Sequence, residues 1–342
     1  MGLIIRLFFT FIILCALAVA GFATYIGYNY EKKGEHSQNV HILIERGDNI
    51  AASLYSHNLI QQPLIFKIIT RISGDATQLK AGEYDIPAEA SMKEIIAQLV
   101  EGQTIERRFT IREGLTSYET IELIKNVENL QGSPSRIPAE GALLPNTYDY
   151  QKNDQRDVII GRMQNAMEEL LIELCALPEG VSFDAMQDLP CANAPSPLKT
   201  AHDVLTLASI VEKETAVPDE RERVAGVFLN RLRKNIALQT DPTVIYAITK
   251  GEHKNDGKGP LGRRLLKKDL AIDSPYNTYK YPGLPPGPIA NPGEASLKAV
   301  LNPEQHDYIY FVADGSGGHA FARTLTEHNN NVAKWRKIRK NQ

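Results

Sequence analysis

The sequence predicts an α+β protein: an N-terminal transmembrane helix, a small α+β domain behind it, and a larger mixed α+β domain with a glutamate-bearing helix. Three observations predict it. Leu7 to Tyr30 contains no Asp, Glu, Lys, Arg or His, short strand-like and helix-like patterns alternate between Val40 and Asn126, and from Thr200 onward the pattern is helix-dominated. At 342 residues the chain is long enough for about two folded units, at roughly 150 residues each.

Composition narrows the function classes. The 38 Lys+Arg against 41 Asp+Glu give a net charge of −3, and hydrophobic residues make up 43% of the chain, which excludes wholesale disorder and a whole-chain polycation. With so little charge bias, nucleic-acid binding driven by counterion release has no support. Three cysteines are too few for a disulfide-stapled mini-fold or a Cys-rich zinc module, so packing must hold the fold together.

Residues 1–6 form a short tail and 7–28 the anchor. About 20 helical residues at about 1.5 Å each span the roughly 30 Å hydrocarbon layer, and Tyr25, Tyr28 and Tyr30 cluster at one end as interfacial aromatics do. The run is longer than a signal-peptide core and lacks a sharp small-x-small cleavage site. Arg6 on one side, and Lys32 and Lys33 beside Glu31 and Glu35 on the other, leave orientation undecided by charge.

Val40–Glu45 reads as a strand, Gly47–Asp48–Asn49 as a turn and helix cap, and Ile50, Leu54 and Leu59 begin a helical pattern. Leu79–Ile86 and Ser91–Val100 then give a strand and a capped helix. Arg108–Arg112, Glu113–Gly114 and Thr116–Lys125 repeat the strand, turn, helix order. Residues 40–126 thus read as one membrane-proximal domain and 139–340 as a second, with a Gly/Pro-bearing loop between them. Residues 156–175 keep a helical period, whereas 176–198 hold too many prolines for one regular element. Cys175 and Cys191, 16 positions apart, are open to two readings: a disulfide in an oxidising compartment, or two free buried thiols.

Thr200 and Asp203 form a capping-box pattern, and the helix they start runs to about Thr215 before Pro218. Counting back from Glu214 by three, four and seven gives Val211, Ile210 and Leu207, an apolar stripe. The same count from Glu212 gives Ser209, Ala208 and Leu205. Glu214 is therefore the glutamate expected to be buried, with a pKa moving from about 4.3 towards roughly 6, suited to a general acid. Asn230, Gln239–Thr240–Asp241, Tyr246 and the aromatic, amide-bearing loop Pro275–Tyr279 supply hydrogen-bonding groups and ring faces of the kind that hold a sugar.

The runs Ser209–Ala216, Val227–Leu232, Leu238–Tyr246, Pro275–Tyr279, Gly283–Gly293 and Tyr310–Asp314 with Gly318–His319 resemble the YceG-like family of endolytic murein transglycosylases. The resemblance spans essentially the whole chain beyond the anchor. It implies a single-pass inner-membrane protein whose catalytic region faces the periplasm and cuts nascent glycan strands internally, leaving 1,6-anhydro ends. It also implies no metal or organic cofactor, glycan strands as substrate and peptidoglycan synthases as partners. The family's catalytic glutamate falls on Glu214, the residue selected by helical face. Thr215, Asn230, Gln239, Asp241, Tyr246, Tyr276, Asn277 and His319 become candidate substrate contacts, and Val40–Leu54 resembles the start of a LysM-type glycan-binding module. Where the family has Pro-Asp-Thr-Tyr, this chain has Pro145–Asn146–Thr147–Tyr148, so no carboxylate role carries over there. Two alternatives stand beside this reading: an inverting muramidase using Asp241 as base, and a noncatalytic peptidoglycan-binding scaffold. Asp241 also reads as a helix cap and His319 as a hairpin-turn residue. The basic stretch 250–268 reads as a solvated loop or a docking patch.

Overall fold

The structure is a computed structural model that describes residues 2–252 and 260–341. It divides into two compact units, Met1–Arg107 with Asp149–Asn153, and Arg108–Tyr148 with Asp154–Gln342.

The first unit opens with α1 (Gly2–Glu31), whose segment Ile4–Glu31 is long and apolar enough to cross a membrane and is not buried by the protein itself. Strand β1 (Val40–Ile44) pairs antiparallel with β2 (Gly82–Ile86), with Val40 opposite Ile86 and Ile44 opposite Gly82. Ile42, Ile44, Tyr84 and Ile86 are buried. Helix α2 (Ile50–Ser56) starts where the Asn49 side chain accepts from the Ala52 amide. Helix α4 (Met92–Glu101) begins with the Ser91/Glu94 capping box and packs Ile95, Ile96 and Leu99 on the same core. Between them lies α3 (Pro63–Ser73), ended by Gly74 in the left-handed region. The sequence reading does not anticipate α3, because apolar residues at 64, 65, 66, 68, 69 and 72 blur the period that would reveal it.

The second unit holds Arg108–Thr110 of β3 (Arg107–Thr110) and Thr147–Tyr148 of β4 (Thr147–Tyr150), and the two strands form one two-stranded sheet. It also holds α5 (Ser117–Lys125), capped by Thr116 and Glu119 as its sequence predicts. The first unit closes at Arg107, so α5 is not part of it, although the sequence reading carried the membrane-proximal domain to residue 126. The matching strand-turn-helix patterns thus belong to different units. Helix α6 (Arg156–Cys175) and the four-residue α7 (Phe183–Met186) follow. Cys175 and Cys191 form a disulfide with Cα atoms 4.4 Å apart, which resolves the two readings left open above.

At the centre stands α8 (Ala201–Glu214), with the Thr200/Asp203 box at its start and every residue from Val204 to Val211 buried. Around it pack α9 (Arg221–Arg233), α10 (Asp241–Thr249) and α11 (Glu294–Leu301). A hairpin of β5 (Tyr310–Ala313) and β6 (His319–Ala322) precedes α12 (Leu325–Asn341). The Ser209 hydroxyl accepts from the Ile289 amide at 3.0 Å, so the middle of α8 fixes the 283–293 loop. Asn291 in that loop is fully buried and accepts from the Leu143 amide at 3.0 Å. In the basic stretch, Lys254 and Lys258 lie outside the described residues. Arg263 is engaged by Asp269 at 2.6 Å and 3.0 Å, which folds that part of the stretch onto itself.

Candidate active site

Glu214 is the last residue of α8; Thr215 leaves the helix in extended backbone. The Thr240 hydroxyl donates to Glu214 Oε1. Gln239 makes this possible by adopting φ +51°, after which the Thr240 amide donates to Thr278 Oγ1 at 3.1 Å and the Gln239 amide to the Thr278 carbonyl at 3.1 Å. The 239–243 and 277–279 segments thereby clamp one another beside the carboxyl.

Burial pushes the Glu214 carboxyl above the ordinary glutamate range. The Thr240 hydrogen bond opposes that rise, the Asp241 charge adds to it, and His319 and Arg231 oppose it. Asp241 sits exposed in the first turn of α10 and accepts from Tyr279 Oη at 2.6 Å. Burial, followed by this bond to Asp241, pushes the Tyr279 phenol up. Arg231 is buried, and Nε donates to the Ile309 carbonyl at 2.6 Å and Nη1 to the Leu238 carbonyl at 2.7 Å. His319 is held by Glu220: the backbone amide donates at 2.8 Å and Nδ1 bonds at 2.7 Å. A Cβ on Gly318 would lie 2.7 Å from Glu220 Oε1, so a side chain there would push the Glu220 carboxyl from its place.

Glu212 corrects the helical-face argument. Its side chain is only 5% exposed, so burial alone does not separate the two glutamates. Partners do. Glu212 Oε2 accepts from the Gly293 amide at 3.0 Å and from Ser296 Oγ at 2.7 Å, and Oε1 lies 3.5 Å from Arg221. It is a satisfied structural anion, whereas Glu214 has no cation within salt-bridge distance among the described residues.

The other predicted residues divide. Gln239 is exposed beside Thr240. Tyr246 and Tyr276 are half-buried with ring centroids 4.9 Å apart, and burial pushes both phenols up. Three expectations need correction. Asn277 is fully buried and donates to the Leu270 and Ile272 carbonyls at 2.9 and 2.8 Å, so it shapes its loop and presents nothing to a ligand. Thr215 is buried, and its hydroxyl accepts from the Val217 amide at 3.1 Å. Asn230 donates to the His306 and Tyr308 carbonyls at 2.7 and 3.1 Å, tying α9 to the start of β5.

Thr240, Tyr279, Arg231 and Glu220 were missed as site residues. The first three lie inside or beside motifs already singled out, but Glu220 carries no local signal, because its partner is 99 positions away. Glu140 is a further buried carboxyl, pushed by burial to about 8 while the Ser117 amide donates to it at 3.1 Å. Among the described residues no group of three His, Cys, Asp or Glu side chains is placed to hold a metal.

A family model described as the YceG-like family matches residues 42–334. The chain is 31% identical over 317 residues to the endolytic murein transglycosylase of Bacillus subtilis strain 168, covering 84% of this chain and 81% of that protein. It is 28% identical over 382 residues to the endolytic murein transglycosylase of Streptococcus pneumoniae R6, covering 95% of this chain and 64% of that one. Among solved structures, a YceG-like protein from Listeria monocytogenes is 30% identical with a TM-score of 0.48, over 86% of this chain and 98% of that one.

Proposed function

The chain belongs to the YceG-like family, and on that premise we propose that it is a membrane-anchored endolytic lytic transglycosylase of peptidoglycan with Glu214 as its acid and base. The observation that carries this reading is the protonation environment of Glu214: a buried carboxyl, raised by desolvation, that accepts a hydrogen bond from Thr240 and has no salt-bridge cation among the described residues.

A carboxyl whose protonated form is favoured by burial delivers its proton to the glycosidic oxygen as the bond from C1 of N-acetylmuramic acid breaks. The carboxylate left behind takes the proton of the same sugar's 6-hydroxyl, and O6 bonds to C1. The products are a 1,6-anhydro end and a free 4-hydroxyl, with no water consumed. Because the nucleophile is tethered to the electrophile, effective concentration replaces an activated water. His319 and Arg231 moderate the anion formed in between, and the Tyr246 and Tyr276 rings and the Gln239 amide are the groups we assign to the sugar.

The disulfide between Cys175 and Cys191 supports an oxidising compartment for the second unit, and with α1 as the span it supports our reading of an inner-membrane chain with a periplasmic catalytic region. The order β1, α2, α3, β2 supports a small LysM-like glycan-binding module next to the anchor. Glycan strands being extended by synthases are the substrate we assign, the cut helping to end elongation.

The test is mass spectrometry of products from uncrosslinked glycan strands treated with the full chain and with Glu214→Gln. Internal fragments ending in 1,6-anhydro-muramic acid from the parent alone are expected. Reducing ends would instead make Asp241 a water-activating base, and binding without cleavage would make the chain a scaffold.

A further inference from the structure

The first unit presents an apolar stripe that its own core does not use. In α3, Ile65, Phe66 and Thr70 are buried, while Leu64 is 69% and Ile72 80% exposed. At 100° per residue, Leu64, Ile68 and Ile72 form one strip along the helix, and Lys67 and Arg71, both exposed, flank it on the side away from the core. Exposed leucine and isoleucine bordered by cations is the pattern of a helix lying in a membrane interface, with apolar side chains below the headgroups and cations among the phosphates.

The depth of α3 follows from α1. The 28-residue segment Ile4–Glu31 is roughly 42 Å long at about 1.5 Å per residue, against a hydrocarbon layer of about 30 Å. With Arg6 at one boundary, the roughly 20 residues that cross the layer end near Ile26, so the last turns, with Tyr28 and Tyr30, stand at the level of the headgroups. Ile26 and Tyr30 in those turns pack against the core that α3 also covers, and α1 and α3 are in direct contact. A helix touching that end of the span is held at the membrane surface.

We propose that α3 is a second, peripheral membrane contact, its Leu64/Ile68/Ile72 strip seated at the acyl boundary and Lys67 and Arg71 on anionic phospholipid headgroups. This rests on reading α1 as the membrane span. Such a contact fixes the tilt of the first unit on the bilayer, which a single helix does not do.

The experiment uses the full chain in vesicles of phosphatidylcholine and phosphatidylglycerol. One sample carries an environment-sensitive fluorophore on Cys15, the free cysteine within α1; the other carries it on Ile72→Cys in a Cys15→Ser background. Lipids brominated near the headgroup end of the acyl chains are expected to remove about half of the emission at position 72, while lipids brominated deep in the chains quench Cys15. Adding Lys67→Glu and Arg71→Glu is expected to restore the emission at 72. All four positions are exposed, so the core is untouched. Quenching at Cys15 with none at 72 would overturn the contact and leave the span intact. No quenching at either would overturn both, and quenching at 72 that survives charge reversal would overturn the role of the cations.

Discussion

The two units treat charge differently. The first builds its core from Ile42, Ile44, Leu54, Tyr84, Ile86, Ile95 and Leu99, leaves Lys32–Glu35, Lys33–Glu89 and Lys93–Glu31 in solvent, and pairs its buried Glu83 with Arg107 at 2.8 Å. The second takes carboxyls inside: Glu212 against Arg221, Glu220 against His319, and Glu214 and Glu140 without a salt-bridge partner among the described residues. Removing a carboxylate from water is costly unless a cation or donors replace the lost hydration. A carboxyl held without the cation favours its protonated form, and the proposed role of Glu214 rests on that property.

The sharpest way to break the contrast is Glu214→Gln, which keeps shape and removes the proton. We expect strand cleavage to fall by about 10²–10⁴-fold with an unchanged melting temperature; a variant that still cleaves would end the assignment. Arg221→Leu should do the reverse. It strips Glu212 of its cation and should cost roughly 3 kcal/mol of stability in denaturant titration; an unshifted midpoint would show that the Gly293 and Ser296 donors suffice. Replacing both Cys175 and Cys191 with Ala opens a loop of 16 positions and should cost about 3 kcal/mol, read as a lower unfolding midpoint.

Glu140 gives a pH-dependent effect. Its folded pKa of about 8 stands above its ordinary value of 4.5, so the folded state keeps a proton that the unfolded chain releases, and this site's contribution to stability falls as pH rises between those values. Glu140→Gln lacks that loss, so its stability relative to the parent should improve across the window by on the order of 5 kcal/mol. A constant difference would refute it. Smallest of all, Lys33→Ala in the first unit should leave the melting temperature unmoved, because exposed pairs contribute little.

The sequence made local signals legible. The Thr200/Asp203, Ser91/Glu94 and Thr116/Glu119 boxes mark their helices, since a cap is written in neighbouring residues. The desolvation of Glu214 was legible too, though by a face argument that the buried Glu212 shows to be incomplete. What stayed hidden depends on distant partners. That Asn277 and Asn230 are consumed by backbone carbonyls, that Glu220 meets His319, and that α5 leaves the first unit are outcomes of tertiary packing, which no spacing of residue types encodes. Helix α3 was hidden for the opposite reason: its sequence is apolar on two faces, and one of them is not the core.

Glu214 also occupies the final position of α8. The aligned peptide groups of a helix leave partial negative charge at that end, where the last carbonyls lack partners. A carboxylate there faces repulsion from the element that carries it. The helix thus disfavours the ionised state, and under the proposed mechanism the α8 terminus favours return of the proton that Glu214 gives away.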